Sequence, residues 1–558
     1  MSGLRPTIIA KINDQDAKFA LDSGAFFSMI SSATAAQFHL RREAAPFGLS
    51  VKGIGGSATP EETTIKSFTI AGIPLHNVPF LVGGSEIGDG VIGLLGQNFL
   101  EKWDIEYDFA KGVVRLFKAS DCSHARLAYW ATPQQPVSMM DISYTTPLAP
   151  HTTGTAFING VKIKVMFDTG SWTSMLTLRA AARAGIKPDT AGVAEAGYTT
   201  GIGRGAVKTY IAPFSSFKIG DNEEIKNARL RMVDEGVDED MLIGADFFLS
   251  HHLLVSNSQH RLYFTYNGGP VFNLSRSAPA DATADAAASS ETKQAESELP
   301  DAAAYSRRGA AFAGRRDFEH ALADFQRASE MNPKEPEYFY RLGMIHWETK
   351  QAESAMADFD RALALKPDHL AALVSRAQLR LAQNNISGAT ADLDVADRTA
   401  PQQADVRFTL ARLYLMADLL EPSLAQFDRW IDSHPDDSKM ATALGRRCWI
   451  RALRGVDLPK ALADCNAALR RGGKSAPGAE PVLDSRGLVQ LRLGDYNKAI
   501  DDFDDSLRLS PKNGWAIYGR GIAKLRKKKT AEGEADIAHA LSQSPGVADE
   551  FKRRGIVP

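Results

Sequence analysis

The chain has 558 residues and a formal net charge of −2, a balance that gives no electrostatic reason to expect nucleic acid or an anionic membrane as a partner. No apolar run approaches the ~20 residues that a membrane-spanning helix needs. Three cysteines, Cys122, Cys448 and Cys465, are too few and too dispersed for a disulfide framework or a zinc site, and the length predicts three or four domains.

In chain order, a strand begins almost at once at Pro6-Thr7-Ile8-Ile9, with no charged, apolar, small-residue export pattern ahead of it. Residues 5–118 read as short strands separated by glycine and proline turns, with a helix over Ser32 to His39. A stretch with Cys122, His124, Tyr129, Trp130 and several prolines links them to residues 150–266, again strand-rich, with a helix over Leu178 to Ala184. The close of that second part, His260-Arg261-Leu262-Tyr263-Phe264, is similar to Gly112-Val113-Val114-Arg115-Leu116-Phe117 in the first.

Phe19-Ala20-Leu21-Asp22-Ser23-Gly24-Ala25 and Val165-Met166-Phe167-Asp168-Thr169-Gly170-Ser171 hold the two Asp-(Ser/Thr)-Gly tripeptides of the sequence, each closing an apolar run. Glycine lets the backbone turn tightly beside a carboxylate, and the hydroxyl residue can hold the turn. If Asp22 and Asp168 meet, like charges a few Å apart cannot both ionise, so the pair shares one proton and titrates as a unit. One carboxylate can then take a proton from an attacking water while its partner donates one to a carbonyl oxygen.

The duplication extends further. Ile12-Asn13 and Ile158-Asn159 stand at the same interval before their aspartates. Downstream come Gly53-Ile54-Gly55-Gly56 and Gly201-Ile202-Gly203-Arg204, each read as the tip of a hairpin. Further on are Leu94-Leu95-Gly96-Gln97-Asn98-Phe99 and Leu242-Ile243-Gly244-Ala245-Asp246-Phe247, where Gly96 follows Asp22 by 74 positions and Gly244 follows Asp168 by 76.

On these motifs each half resembles a retropepsin-like aspartic protease domain, and the pair resembles bacterial aspartyl proteases with two such domains in one chain. The resemblance implies an all-β tandem, a pseudo-dimer with catalytic Asp22 and Asp168 in cis. It implies loop-bracing roles for Ser23, Gly24, Thr169 and Gly170, and flaps at Gly53, Gly55 and Gly56 and at Gly201 and Gly203. The first loop ends in Ala25 and the second in the pepsin-like Ser171. The resemblance also implies an exported or periplasmic location, whereas a chain starting at Met1 stays in the cytoplasm.

From about Ser275 to Asp301 the composition turns to Ala, Ser, Asp, Glu and Pro, which reads as a flexible tether and a candidate for self-cleavage. Beyond it a 34-residue period appears in Gly309, Gly343, Ala377, Ala411 and Gly445, resumed by Gly487 and Gly521, with Pro333, Pro367, Pro401 and Pro435 at the same step. Ala321 and Ala328, Ala355 and Ala362, and Ala389 and Ala396 flank Phe325, Phe359 and Leu393. This pattern resembles the tetratricopeptide repeat, an all-α solenoid of helical pairs. Seven units are counted, the fifth enlarged around Gly455 to Pro459. The expected boundaries are 1–118 and 150–272 for the protease domains, 119–149 and 273–301 for linkers, and 302–548 for the repeats.

In the usual register Tyr340, Met344, Trp347, Phe408, Arg412, Trp515 and Tyr518 face the concave side, where each aromatic is either a protein-partner contact or inter-repeat core. No Lys/Asn carboxylate clamp is visible, so an apolar or extended segment suits that face better than a C-terminal acid. Cys448 and Cys465 fall on neighbouring helices, either as a disulfide or as two buried thiols. No His-Glu-x-x-His pattern occurs, His251-His252 being adjacent, and Arg471-Gly472-Gly473-Lys474-Ser475 lacks the full phosphate-loop glycine spacing. Neither a cofactor nor a metal is expected. Two functions fit: an aspartic endopeptidase acting on protein or peptide substrates, with repeats that recruit substrate or partner, or a non-catalytic peptide-binding adaptor on degenerate barrels. Pairing of each half with its twin in a homodimer fits less well than pairing in cis.

Overall fold

The computed structural model describes residues 5–45, 49, 51–53, 56–84, 90–120, 125, 127–132, 135–143, 151–200, 206–234, 239–268, 271–272, 299–314, 316–474 and 478–558. Most of the expected tether, and Cys122, lie outside them. Two compact bodies divide the described chain, Met1–Leu379 and Arg380–Pro558.

The first body opens with a hairpin of β1 (Thr7–Ile12) and β2 (Gln15–Leu21). Asn13 and Asp14 at its tip have φ of 48° and 67°, the left-handed backbone of a two-residue turn that Asn and Asp tolerate. There follow β3 (Met29–Ile30), α1 (Ser32–Gln37), β4 (Glu43–Ala44), β5 (Val51–Gly53) and β6 (Gly56–Ala58). Next come β7 (Glu61–Ile70), β8 (Ile73–Val82), β9 (Val91–Leu95), α2 (Gln97–Leu100), β10 (Asp104–Asp108) and β11 (Val113–Phe117). Helix α1 starts where the Ser31 hydroxyl accepts the Thr34 N–H. The order β1-β2-β9-β3-β8-β7 closes into a barrel because β1 also pairs with β7. Alternation along β7 sends Thr63, Ile65, Phe68 and Ile70 inward, where Phe68 packs edge-on to Phe19.

The second half repeats this plan. After β12 (Ser138–Asp141) in the intervening stretch, it comprises β13 (Thr153–Ile158), β14 (Val161–Phe167), β15 (Met175–Thr177), α3 (Leu178–Arg183) and β16 (Ala194–Thr200). Then come β17 (Ala206–Ile219), β18 (Glu223–Val233), β19 (Met241–Ile243), α4 (Ala245–Ser250), β20 (His251–Ser256) and β21 (Arg261–Tyr266). The turn between β13 and β14 is Asn159-Gly160, again at positive φ, 47° and 78°, which explains the Ile-Asn echo in the sequence. Thr177 caps α3 as Ser31 caps α1. The closed order is β13-β14-β19-β15-β18-β17, sealed by β13 on β17.

A shared sheet, β11-β10-β20-β21-β12, joins the halves through β10 and β20. Strand β12, the exposed Tyr129 and the half-buried Trp130 come from the stretch between the halves. In this sheet the buried Glu106 carboxylate receives Arg115 Nη1 and Tyr129 Oη, each at 2.5 Å, and lies 2.8 Å from His252 Nε2. Trp130 stacks on His252 at 4.0 Å. Burial works against ionisation of Glu106, but hydrogen bonds with His252 and Tyr129 outweigh it and hold its carboxyl below the usual range.

Helices α5 (Ala302–Gly314), α6 (Phe318–Met331), α7 (Pro336–Glu348), α8 (Ala352–Leu365) and α9 (Leu370–Ala382) begin the repeats. Helix α5 packs on the turn Phe109–Lys111, Ala311 joins the barrels' core, and a side chain at Gly112 would strike Arg307 at 2.8 Å. The pairs continue with α10 (Ile386–Thr399), α11 (Val406–Met416), α12 (Leu420–Ser433), α13 (Met440–Arg454) and α14 (Leu458–Gly472). They end with α15 (Glu480–Leu493), α16 (Tyr496–Leu509), α17 (Gly514–Arg526), α18 (Thr530–Gln543) and a last helix α19 (Val547–Arg553). Seven helical pairs are present among the described residues. Small residues are needed where helices cross: a methyl at Gly343 would sit 2.6 Å from the Phe359 ring, and one at Gly487 would sit 2.8 Å from Phe503.

The fifth unit is enlarged in two places. Helix α13 runs to Arg454 before Gly455, and the connection from α14 to α15 is longer than its counterparts. Cys448 and Cys465 bridge α13 and α14 as a disulfide. No helix among the described residues is long and apolar enough to cross a membrane.

Candidate active site

Both aspartates leave the barrel at the end of a parallel strand pair. Strand β2 runs beside β9 with Leu21 opposite Leu95, and β14 beside β19 with Phe167 opposite Ile243. The next residue in each case is the aspartate, its N–H donated to the facing carbonyl: Asp22 to Leu95 O at 3.0 Å and Asp168 to Ile243 O at 2.9 Å. Two barrels thus deliver one carboxyl each to one place.

Within its own loop each carboxylate is fixed by backbone donors. Asp22 Oδ1 accepts the N–H of Gly24 at 3.0 Å and of Ala25 at 2.9 Å; Asp168 Oδ1 accepts those of Gly170 at 2.8 Å and Ser171 at 3.1 Å. Between loops the hydroxyl residues cross over. Ser23 N–H donates to Thr169 Oγ1 and Thr169 N–H to Ser23 Oγ, both at 3.0 Å. Each hydroxyl then donates back into the opposite strand, Ser23 Oγ to Phe167 O at 2.9 Å and Thr169 Oγ1 to Leu21 O at 2.7 Å.

That cross-bracing presses each carboxyl onto the other loop's glycine. A methyl at Gly170 would lie 2.3 Å from Asp22 Cγ, and one at Gly24 would lie 2.2 Å from Asp168 Cγ. The spacing leaves room for hydrogen alone, which is why both tripeptides end in glycine. Asp22 and Asp168 are both half-buried.

Confinement of two carboxyls shapes their ionisation. Burial first, then the Asp22 charge, pushes Asp168 up to about 8. Asp22 is also raised by burial, with the Arg5 guanidinium and the Ala25 N–H opposing the rise. The pair titrates as one unit that retains a proton across the acid and neutral range. One ionised and one protonated carboxyl, side by side, can supply a base and an acid at once.

A second pair of matching networks holds the loops from behind. In the first half Asn98 Oδ1 accepts the N–H and hydroxyl of Ser28, both at 2.8 Å, and Ser28 Oγ accepts Gly96 N–H at 3.1 Å. In the second half Asp246 Oδ1 accepts Ser174 N–H at 2.9 Å and its hydroxyl at 2.7 Å, while Ser174 Oγ accepts Gly244 N–H at 2.9 Å. Burial raises Asp246 to about 6 despite those donors. Gln97 adds a contact unique to the first half, its Nε2 donating to Ser23 O at 2.9 Å and Thr152 Oγ1 at 3.2 Å. These residues had a signal in the sequence, the aligned Gly96-Gln97-Asn98 and Gly244-Ala245-Asp246, but a sequence gives no hint that Ser28 and Ser174 complete them.

An aspartyl protease family model matches residues 8–99 and again 155–247. Tetratricopeptide repeat models match 306–369, 380–446 and 481–513. The two halves are aspartyl protease family domains in tandem, and the helices after them are tetratricopeptide repeats. No curated protein matches the chain. Among solved structures, a tetratricopeptide repeat protein from Parabacteroides merdae is 16% identical, covering 46% of this chain and 98% of its own, with a TM-score of 0.33. The C-terminal part of a repeat protein from Cytophaga hutchinsonii is also 16% identical, over 40% of this chain and 88% of its own, with a TM-score of 0.32. MamA from Desulfovibrio magneticus is 19% identical, over 30% of this chain and 94% of its own, with a TM-score of 0.27.

The remaining expected site residues are placed unevenly. Gly53 and Gly56 face each other in the hairpin of β5 and β6, whereas Gly55, Gly201 and Gly203 lie outside the described residues. On the repeats, Arg412 is exposed, and Tyr340, Met344 and Trp347 are half-buried around Phe359. Of the two readings left open for the aromatics, Phe408 and Tyr518 take the inter-repeat core, at 8% and 4% exposure. Phe408 packs on Phe427 and Trp430. The α19 residue Phe551 covers Trp515 at 4.1 Å and Tyr518 at 4.9 Å, because the final unit has no following repeat to cover it.

The repeats also carry a polar pattern that the reading of small residues passed over. Arg308 meets Asp324, Arg486 meets Asp502 and Arg520 meets Asp536, each arginine forking onto both carboxylate oxygens across its helical pair. The aspartate always precedes the large residue that fills the crossing, Phe325, Phe503 or Ile537.

Proposed function

We propose that the tandem domains form an aspartic endopeptidase that hydrolyses peptide bonds with a water activated by Asp22 and Asp168. The observation that carries this reading is the mutual seating of the two carboxyls, each against the other loop's glycine, through the Ser23–Thr169 crossing. A degenerate, purely binding barrel has no need to keep that seating in both halves, which is why the adaptor reading is not favoured.

In the proposed step the ionised carboxyl accepts a proton from water as its oxygen attacks the scissile carbonyl carbon. The protonated partner donates to the carbonyl oxygen, giving a neutral tetrahedral diol. One carboxyl then gives its proton to the leaving nitrogen while its partner takes a proton from a diol hydroxyl, so that the C–N bond breaks, the carbonyl re-forms and the pair is again singly protonated. Ser23 and Thr169 hold the geometry without touching substrate. The repeats, of which the first packs on the barrels, bring substrate or partner proteins to the enzyme.

The test is digestion of a denatured protein in water enriched in oxygen-18. Direct water attack predicts label in every newly formed C-terminal carboxyl and no trapped acyl-enzyme; a chain-linked intermediate would sink the mechanism.

A further inference from the structure

Arg5 stands just ahead of β1, outside every motif that marks the two loops. It is nevertheless clamped onto the second loop: its Nε donates to Gly170 O at 2.6 Å and its guanidinium lies 5.6 Å from the Trp172 ring centroid. Gly170 is the residue whose Cα faces the Asp22 carboxyl. The cation is therefore held by one barrel's loop beside the other barrel's carboxyl, with no direct ion pair of its own among the described residues. No counterpart occupies the equivalent place before β13, where His151 precedes Thr152.

We propose that Arg5 is a positioning residue that holds one fixed positive charge beside the Asp22–Asp168 pair and so favours its singly protonated state over the doubly protonated one. This rests on the proteolytic reading above. A nearby cation stabilises each ionised form, so it lowers both protonation steps of the pair. Burial depresses Arg5, while both aspartates oppose that loss and keep it charged. Arg5 is also the first of the influences that oppose the burial-driven rise of Asp22. Tyr107 on β10, itself raised by burial and by the Asp22 charge, is a further titratable group near the pair, and the His151 ring lies 6.2 Å from Phe26 in the Asp22 loop. Tyr107 is neutral or negative in its two protonation states and supplies no cation.

The experiment is a carbon-13 carboxyl NMR titration of the full-length chain, with Asp22→Asn and Asp168→Asn identifying the signals. Arg5→Gln keeps a hydrogen-bonding side chain but removes the charge, and is expected to move the protonation steps upward by about one pH unit or more. Arg5→Lys keeps the charge and is expected to restore most of the shift. Titration of Arg5→Gln at the wild-type values would overturn the proposal, as would an equal displacement in Arg5→Lys. The acid limb of cleavage of denatured casein is read in parallel. A shifted titration in a chain that cuts nothing would uphold Arg5 and defeat the protease reading; cleavage with an unshifted titration would do the reverse.

Discussion

Ser23 and Thr169, 146 positions apart, each donate a backbone N–H to the other's hydroxyl at 3.0 Å. Four buried hydrogen bonds pass through these two side chains, so neither hydroxyl can be removed without orphaning a donor and an acceptor in the opposite loop. Thr169→Val, nearly isosteric, is expected to lower barrel stability by about 1–3 kcal/mol and to reduce cleavage, while Thr169→Ser retains most of both. Hydrogen exchange of the barrel amides checks the first, and initial cleavage rates the second.

Asp168 makes the barrels less stable as pH rises. Its folded pKa, about 8, exceeds the unfolded carboxylate value, so the folded state binds a proton that the unfolded chain releases. That contribution is fully present at low pH and declines from about pH 4 to about pH 8, by on the order of 1 kcal/mol per pH unit. Asp168→Asn removes the decline. Urea unfolding at several pH values is expected to show the variant overtaking the wild type near neutrality.

Asp246 follows the same sign over a narrower window. With its carboxyl raised by burial to about 6, stability falls between about pH 4 and pH 6 and stays reduced above that. The first barrel solves the same problem with Asn98, an uncharged acceptor for Ser28. Asp246→Asn should therefore stabilise the second barrel by about 2 kcal/mol at pH 7 and not at pH 4.

In the repeats, Arg486→Ala leaves Asp502, whose side chain is 6% exposed, with an uncompensated charge. A loss of about 3 kcal/mol is expected in the transition of the C-terminal helices, read by circular dichroism at rising urea. Lys498→Ala, which removes an exposed pair with Asp495, serves as the control and is expected to change little.

The sequence carried the duplicated aspartyl loops, the matching glycines and the 34-residue period because each repeats within one chain, so one half explains the other. Arg5 has no second copy and sits outside the motifs, which left it silent. Ser28 and Ser174 meet Asn98 and Asp246 from about 70 positions away, a pairing that only the β9 and β19 crossovers create. The period identified the repeats but could not separate an open face from one already covered. Phe551 lies on a helix beyond the last full unit, and that helix turns Trp515 and Tyr518 inward. Cys448 and Cys465 were legible as neighbours, though not as a bond.

In the proposed mechanism one proton shared between Asp22 and Asp168 drives hydrolysis. Its most direct test is incubation of the wild-type chain, Asp22→Asn and Asp168→Asn with a denatured protein from pH 3 to 8, peptides being read by mass spectrometry. Cleavage by the wild type is expected at acid to near-neutral pH, falling as the pair loses its proton, with at least a thousandfold loss in either variant, equivalent to about 4 kcal/mol of barrier. Cleavage that survives in either single variant, or a folded wild type that cuts nothing at any pH, would contradict it.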